Sequence, residues 1–157
     1  MSLHTHYHLT EHVKLFQKAV LIKDNKILIL KRSEKAYSRP GMWDLPGGNS
    51  EWPSAKQNAK DLHLPDIQRE IDEETGIKVD LKEFVHKNLV YFSTYFEYDK
   101  KMFAIVGGWK VINFTTTKVI LSDEHTTYAW ITKEELSDYD FGGDKGEFVV
   151  EIINKSF

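Results

Sequence analysis

"REIDEETGI", residues 69–77, places Glu70, Glu73 and Glu74 on one short run and then stops on Gly76. On a helix, residues three and four apart share a face, so the three carboxylates converge. They repel one another there. They also crowd a helix end whose dipole favours cations, at a cost of roughly 0.3–1 kcal/mol for an acidic side chain. A local rule broken this plainly marks a functional site sooner than an ordinary surface, and a divalent cation is the simplest compensating partner. The spacing predicts a helix over 65–75, opened by Pro65 and closed by Gly76. Leu64, Ile67 and Ile71 form its apolar stripe, which leaves Glu70 and Glu74 at the edge of the core, where a groove can form.

Outward from this helix the chain reads as strands. "KAVLIKDNKILILKR" (18–32) reads as two strands around a turn at Asp24-Asn25-Lys26, and "MWDLPGG" (42–48) as a short strand running into a glycine turn. "NLVYFSTYFEY" (88–98) and "MFAIVGGWKVI" (102–112) read as two long strands, with Gly107-Gly108 marking a bulge or a close backbone approach. "TYAWI" (127–131) is a further strand, "GGDKG" (142–146) a loop, and "KGEFVVEIINKSF" (145–157) a closing helix. Strands flanking one helix and followed by another give an α/β class with a mixed sheet between helices.

The chain has 157 residues, enough for one domain, 1–157, with a substantial core; residues 1–12 are expected to be a flexible N-terminal segment. Apolar content of 41% and charged content of 29% are those of a soluble globular protein. A net charge of −3 argues against bulk nucleic acid as a partner, and the lack of cysteine excludes disulfides and thiolate chemistry. No apolar run has the length of a membrane span and no signal-peptide pattern opens the chain, so no membrane association is expected and the cytoplasm is the expected compartment. His4, His6, His8 and His12 alternate, but near a terminus they read as surface residues and not as a metal site.

The acidic helix together with "PGG" at 46–48 resembles the Nudix hydrolase family, whose box reads G-x5-E-x7-R-E-U-x-E-E-x-G-U with U a bulky aliphatic residue. Arg69, Glu70, Ile71, Glu73, Glu74, Gly76 and Ile77 match its whole second half, a coincidence expected on the order of once in 10^7 start positions. Upstream "GMWDLPGG" and downstream "SDEHTTYAWITKEEL" (122–136) are also similar to the family, so the resemblance covers most of the chain. One departure stands out: Gly48 lies 21 residues before Arg69, seven more than the family's spacing. The extra residues fall within 49–68, and either Glu51 or Asp61 takes the place of the box's first glutamate.

The resemblance implies a Nudix-type α/β/α sandwich and a metal-dependent hydrolase of phosphoric anhydrides in nucleoside diphosphate derivatives. Mg²⁺ or Mn²⁺ would be held by Glu70, Glu73, Glu74 and the Gly47 carbonyl, with Arg69, Gly48 and Gly76 as structural support. Glu73 and Glu124 are the alternatives for the general base, and Arg32 and Glu51 are candidate substrate contacts. The aromatic set Tyr91, Phe92, Tyr95, Phe96 and Trp109 offers surfaces for a nucleobase, and Tyr95 stands near a tyrosine of dinucleoside-polyphosphate hydrolases of the family. A small-molecule nucleotide is the implied partner, and a homodimer is an expectation because family members often dimerise. Small size, and no proline about 16 residues after the box where ADP-ribose hydrolases tend to carry one, lean the expectation toward nucleoside triphosphates. ADP-ribose, nucleotide sugars and dinucleoside polyphosphates are the rivals. A non-catalytic nucleotide-binding or regulatory domain is the rival of another class. Isopentenyl diphosphate isomerase, which resembles a cysteine-dependent enzyme, is disfavoured by the absence of cysteine.

Overall fold

A computed structural model describes residues 12–51 and 60–157. Asp24 and Asn25 both take left-handed backbone angles, φ 50° and 61°, which suit a two-residue hairpin between right-twisted strands. They join β1 (His12–Lys23) to β2 (Lys26–Arg32), so Lys26 opens a strand and does not belong to the turn. The hairpin is paired only at Ile22 with Ile27 and Lys23 with Lys26; beyond that the two strands part. β1 runs on parallel to β5 (Met102–Val111), and β4 (Leu89–Glu97) lies antiparallel on the other side of β5. β2 pairs antiparallel with β3 (Trp43–Asp44) and with β6 (His125–Ile131). The result is a six-stranded mixed sheet in the order β3-β2-β1-β5-β4, with β6 also on β2.

Strand alternation sends side chains to both faces, and each face carries a core under one helix. Ala19, Leu21, Leu28, Leu30 and Trp109 pack with Ile67 and Ile71 of α1 (His63–Thr75). Phe16, Val20, Ile27, Ile29 and Val106 pack with Val149, Ile152 and Ile153 of α2 (Glu147–Asn154). Burying each of these aliphatic side chains contributes roughly 1.5–3 kcal/mol, and that packing holds α1 against the sheet. The fold is the expected α/β/α sandwich.

Three local readings are corrected. α1 starts at His63, so Pro65 occupies its third position and not its first; it is tolerated because the first-turn N–H groups have no helical partner. α2 is shorter than 145–157 and follows a 3₁₀ turn at Gly143–Gly146. β1 begins at His12, so that residue belongs to the sheet. His4, His6 and His8 and most of the inserted segment lie outside the described residues. Gly108 serves both expected purposes: pairing slips opposite it between Leu89 and Tyr91, and an added Cβ would stand 2.8 Å from Ile152, where α2 presses on the sheet. Among the described residues no helix is long and apolar enough to cross a membrane.

Candidate functional site

Where β1 and β2 part, the glycine loop takes up the backbone groups that β1 leaves open. The Ala19 N–H donates to the Pro46 carbonyl at 2.9 Å, the Gln17 N–H to Gly48 at 3.0 Å, and the Ser50 N–H to Leu15 at 2.8 Å. The fit admits no side chain: a Cβ on Gly47, whose φ is 136°, would lie 2.0 Å from the Gln17 carbonyl oxygen. One on Gly48 would meet the Glu70 carboxylate at 2.8 Å. Gly47→Ala is therefore expected to lower stability by about 3 kcal/mol, read as a fall in the urea midpoint with an unchanged slope. An unchanged midpoint would mean that the loop is not seated against β1.

The loop delivers Gly47 to the acidic face of α1. Glu74 is only 5% exposed, and its Oε2 accepts the Gly47 N–H at 2.8 Å. Burial pushes its carboxyl up to about 8, against the opposing pull of Lys18 and of that hydrogen bond. Glu70 is raised as well, first by burial, with Arg69 opposing and the negative charges of Glu73 and Glu124 adding to the rise. Arg69 bonds both Glu70 (Nη2 to Oε1, 3.0 Å) and Glu73 (Nη1 to Oε2, 2.8 Å), and Glu73 stays 59% exposed. Gly76, at φ 71°, ends the helix, and the carbonyls of the last turn find outside donors: Ile120 N–H on Thr75 and Ser122 N–H on Glu74. Those bonds bring the loop that carries Glu124 up to the helix end.

His125 at the start of β6 is buried beside this face, its Nε2 4.0 Å from Glu74 Oε1 and its Nδ1 without a hydrogen-bond partner. Burial, and then the charge of Lys18, lower its pKa to about 4. Among the described residues no three acidic or imidazole groups already converge at metal-ligand spacing, because Glu73 is turned to Arg69. The donors are nonetheless all hard oxygens, and burial disfavours the ionised form of two of them, Glu70 and Glu74, which a bound cation would favour. That set fits Mg²⁺ or Mn²⁺.

A second cluster adjoins the first, and the sequence did not disclose it. Asp44 is fully buried, and its Oδ2 accepts from Lys18 Nζ at 3.0 Å, Arg32 Nη1 at 3.0 Å and Arg39 Nη2 at 2.7 Å. Burial alone would raise its carboxyl, but Lys18, Arg39 and Arg32 outweigh that and hold it below the usual range. Three cations against one carboxylate leave a surplus of two positive charges beside the acidic face. The available signal was Lys18 itself, a charge at an inward position in the apolar run "FQKAVLI".

An acidic helix end locked to a glycine loop, under this sheet, is the arrangement expected from the box, and the NUDIX domain model matches residues 18–151. The chain belongs to the NUDIX family. It is a hydrolase of the class acting on phosphoric anhydrides, in a family that takes small nucleotide substrates and generally uses divalent metals. The fold is similar to that of the MutT NUDIX hydrolase from Burkholderia pseudomallei, with a TM-score of 0.66, 21% identity, and coverage of 91% of this chain and 99% of that one. The MutT protein from Methanosarcina mazei Go1 gives a TM-score of 0.65 at 26% identity, covering 92% and 95%. The E. coli ORF135 protein gives 0.65 at 23%, covering 91% and 89%. The comparison with curated proteins returned no match.

Within this NUDIX domain the remaining candidates fall in different places. Glu51 has its side chain 76% exposed, 3.7 Å from Arg69, while its N–H donates to Asp66. Asp61 is exposed, and its carbonyl caps the start of α1 by accepting the Leu64 N–H. Of the two alternatives for the first glutamate, Glu51 is the one brought to Arg69. Tyr95 packs edge-on against Phe16 at 6.4 Å, and Phe16 against Phe148 at 5.5 Å. Tyr91 and Trp109 are buried in the two cores, which removes them from the set offered to a nucleobase. Trp109 instead donates its indole N–H to the Gln17 amide oxygen at 2.9 Å. The Gln17 amide nitrogen donates to Ser50 Oγ and to the His63 carbonyl, so it ties the glycine loop to the start of α1.

Proposed function

We propose that this NUDIX domain is a divalent-metal-dependent pyrophosphohydrolase of nucleoside triphosphates. The observation that carries this reading is the juxtaposition, across the single residue Gly47, of a partly buried acidic face and a cluster with surplus positive charge. Glu70, Glu73, Glu74 and the Gly47 carbonyl would hold Mg²⁺ or Mn²⁺. When bound, such an ion neutralises charge on the diphosphate and makes water a better nucleophile. Arg32 uses Nε and one Nη1 proton on Ser38 and Asp44, and among the described residues no hydrogen-bond partner takes its remaining donors, which leaves them for a phosphate oxygen. Of the two candidate bases, Glu73 is engaged by Arg69, whereas Glu124 stands on the facing loop, close enough to act on Glu70. That favours Glu124 for taking the proton from the attacking water. Tyr95, packed through the buried Phe16 toward Phe148, offers an aromatic surface near the cationic cluster, since Arg39 lies over the Phe148 ring at 5.3 Å.

The test is a substrate panel: nucleoside triphosphates, ADP-ribose, a nucleotide sugar and a dinucleoside polyphosphate, each with Mg²⁺ or Mn²⁺, with released phosphate and pyrophosphate measured. Triphosphates should release pyrophosphate fastest, and Glu73→Gln should cut that rate severely. A preference for another panel member would move the substrate within the family. No turnover on any nucleotide would favour a binding domain over an enzyme.

A further inference from the structure

Lys18 is a buried lysine, its side chain 7% exposed, on a strand position flanked by the core residues Phe16 and Val20. An ammonium has three protons to give. Here all three are taken, by Asp44 Oδ2 at 3.0 Å, the Leu45 carbonyl at 3.2 Å and the Gly47 carbonyl at 3.2 Å. The first bond does not neutralise it, because Arg32 and Arg39 share the same carboxylate oxygen. The last is the informative one. The Gly47 carbonyl is the backbone oxygen offered to the metal, and the N–H of the same residue is held by Glu74. Ammonium and carboxylate thus grip the two polar groups of one glycine. That glycine lies close against β1, since the Gln17 carbonyl stands where its Cβ would be.

We propose that Lys18 is a resident counter-cation that competes with the divalent metal for the Gly47 carbonyl and for the negative charge of the acidic face. The proposal rests on the metal-dependent reading above. A divalent ion entering beside Glu74 meets a positive charge that the protein has already placed there, in a setting that water and salt screen poorly. Lys18 therefore lowers the affinity of the nucleotide-free protein for its metal, while its hydrogen bonds keep the carbonyl aimed.

Mn²⁺ binding without nucleotide, followed by the electron paramagnetic resonance signal of free Mn²⁺, tests this directly. Lys18→Met is expected to bind Mn²⁺ on the order of tenfold more tightly than wild type. Loosening of the site by a merely structural loss would weaken binding, so unchanged or weaker affinity overturns the proposal. Glu70→Gln in the same assay tests the underlying site: if it binds Mn²⁺ like wild type, the metal assignment fails whatever Lys18 does. Should Lys18→Met not fold, wild type answers through the Lys18 ¹⁵Nζ resonance during a Mg²⁺ titration. A shift that saturates with the metal supports competition, and a resonance that stays fixed overturns it.

Discussion

Glu74→Gln is expected to cut turnover by roughly 10²–10³-fold and, in the same protein without metal, to raise the melting temperature at pH 8. Both effects follow from one carboxylate buried where a cation belongs. The glutamine keeps an oxygen for the Gly47 N–H, so the loop stays seated while the charge disappears. The pH dependence separates this from general loosening. In the folded, metal-free protein Glu74 titrates near 8, far above an ordinary glutamate, so between about 4.5 and 8 the native state binds the extra proton. Stability therefore falls as pH rises through that window and levels off beyond it. His125 acts in the opposite sense: lowered to about 4, it adds stability as pH rises toward its ordinary value near 6.5 and nothing further above it. From pH 6.5 to 8 Glu74 is thus the dominant titrating group of the pair, and the melting temperature of the chelator-treated wild type should decline across that interval. Glu74→Gln should be flat there, and saturating Mg²⁺ should abolish the decline in wild type by favouring the ionised carboxylate. A wild type without that decline would mean that Glu74 is not buried as described.

Asp44→Asn should give the largest loss of stability, about 3–5 kcal/mol. The substitution preserves shape and leaves an oxygen for the Leu45 N–H, but it strips the negative charge that Lys18, Arg32 and Arg39 share. Lys18 and Arg39 are each only 7% exposed at the side chain, so water cannot replace the lost partner. In a domain of this size that corresponds to a fall in melting temperature of about 10 °C, measurable by calorimetry or by urea unfolding. A shift of only a degree or two would show that the three cations are solvated after all. Loss of turnover would accompany the change, because the same cluster holds the Leu45 and Gly47 carbonyls through Lys18.

What could be read from the chain alone was whatever depends on near neighbours. The i, i+3, i+7 pattern of Leu64, Ile67 and Ile71 and the stop at Gly76 describe α1 because helix faces and caps are local. The strand runs describe the sheet for the same reason. The metal-side glutamates were legible because they lie on one turn. Lys18, Asp44, Arg32 and Arg39 were not, because they meet only after β1 and β2 part and the chain beyond β2 folds back against them. The aromatic set misled at Trp109, whose indole is satisfied by Gln17, 92 residues earlier in the chain. It misled at Tyr91 because alternation shows that two faces exist but not how deeply α2 covers one of them. β6 begins at His125, two residues before the apolar run that announced it, and that extension buries an imidazole beside Glu74.

The amide of Gln17 bonds Ser50 on one side and the His63 carbonyl on the other, so the glycine loop and the start of α1 are held to β1 at a single clasp. Doubling a loop's length adds only about 0.6 kcal/mol of closure entropy, so a longer connection costs the fold little. Seven additional residues can therefore sit inside an otherwise intact catalytic box. The helix that carries Glu70 and Glu74 is anchored at its start to β1, through Gln17.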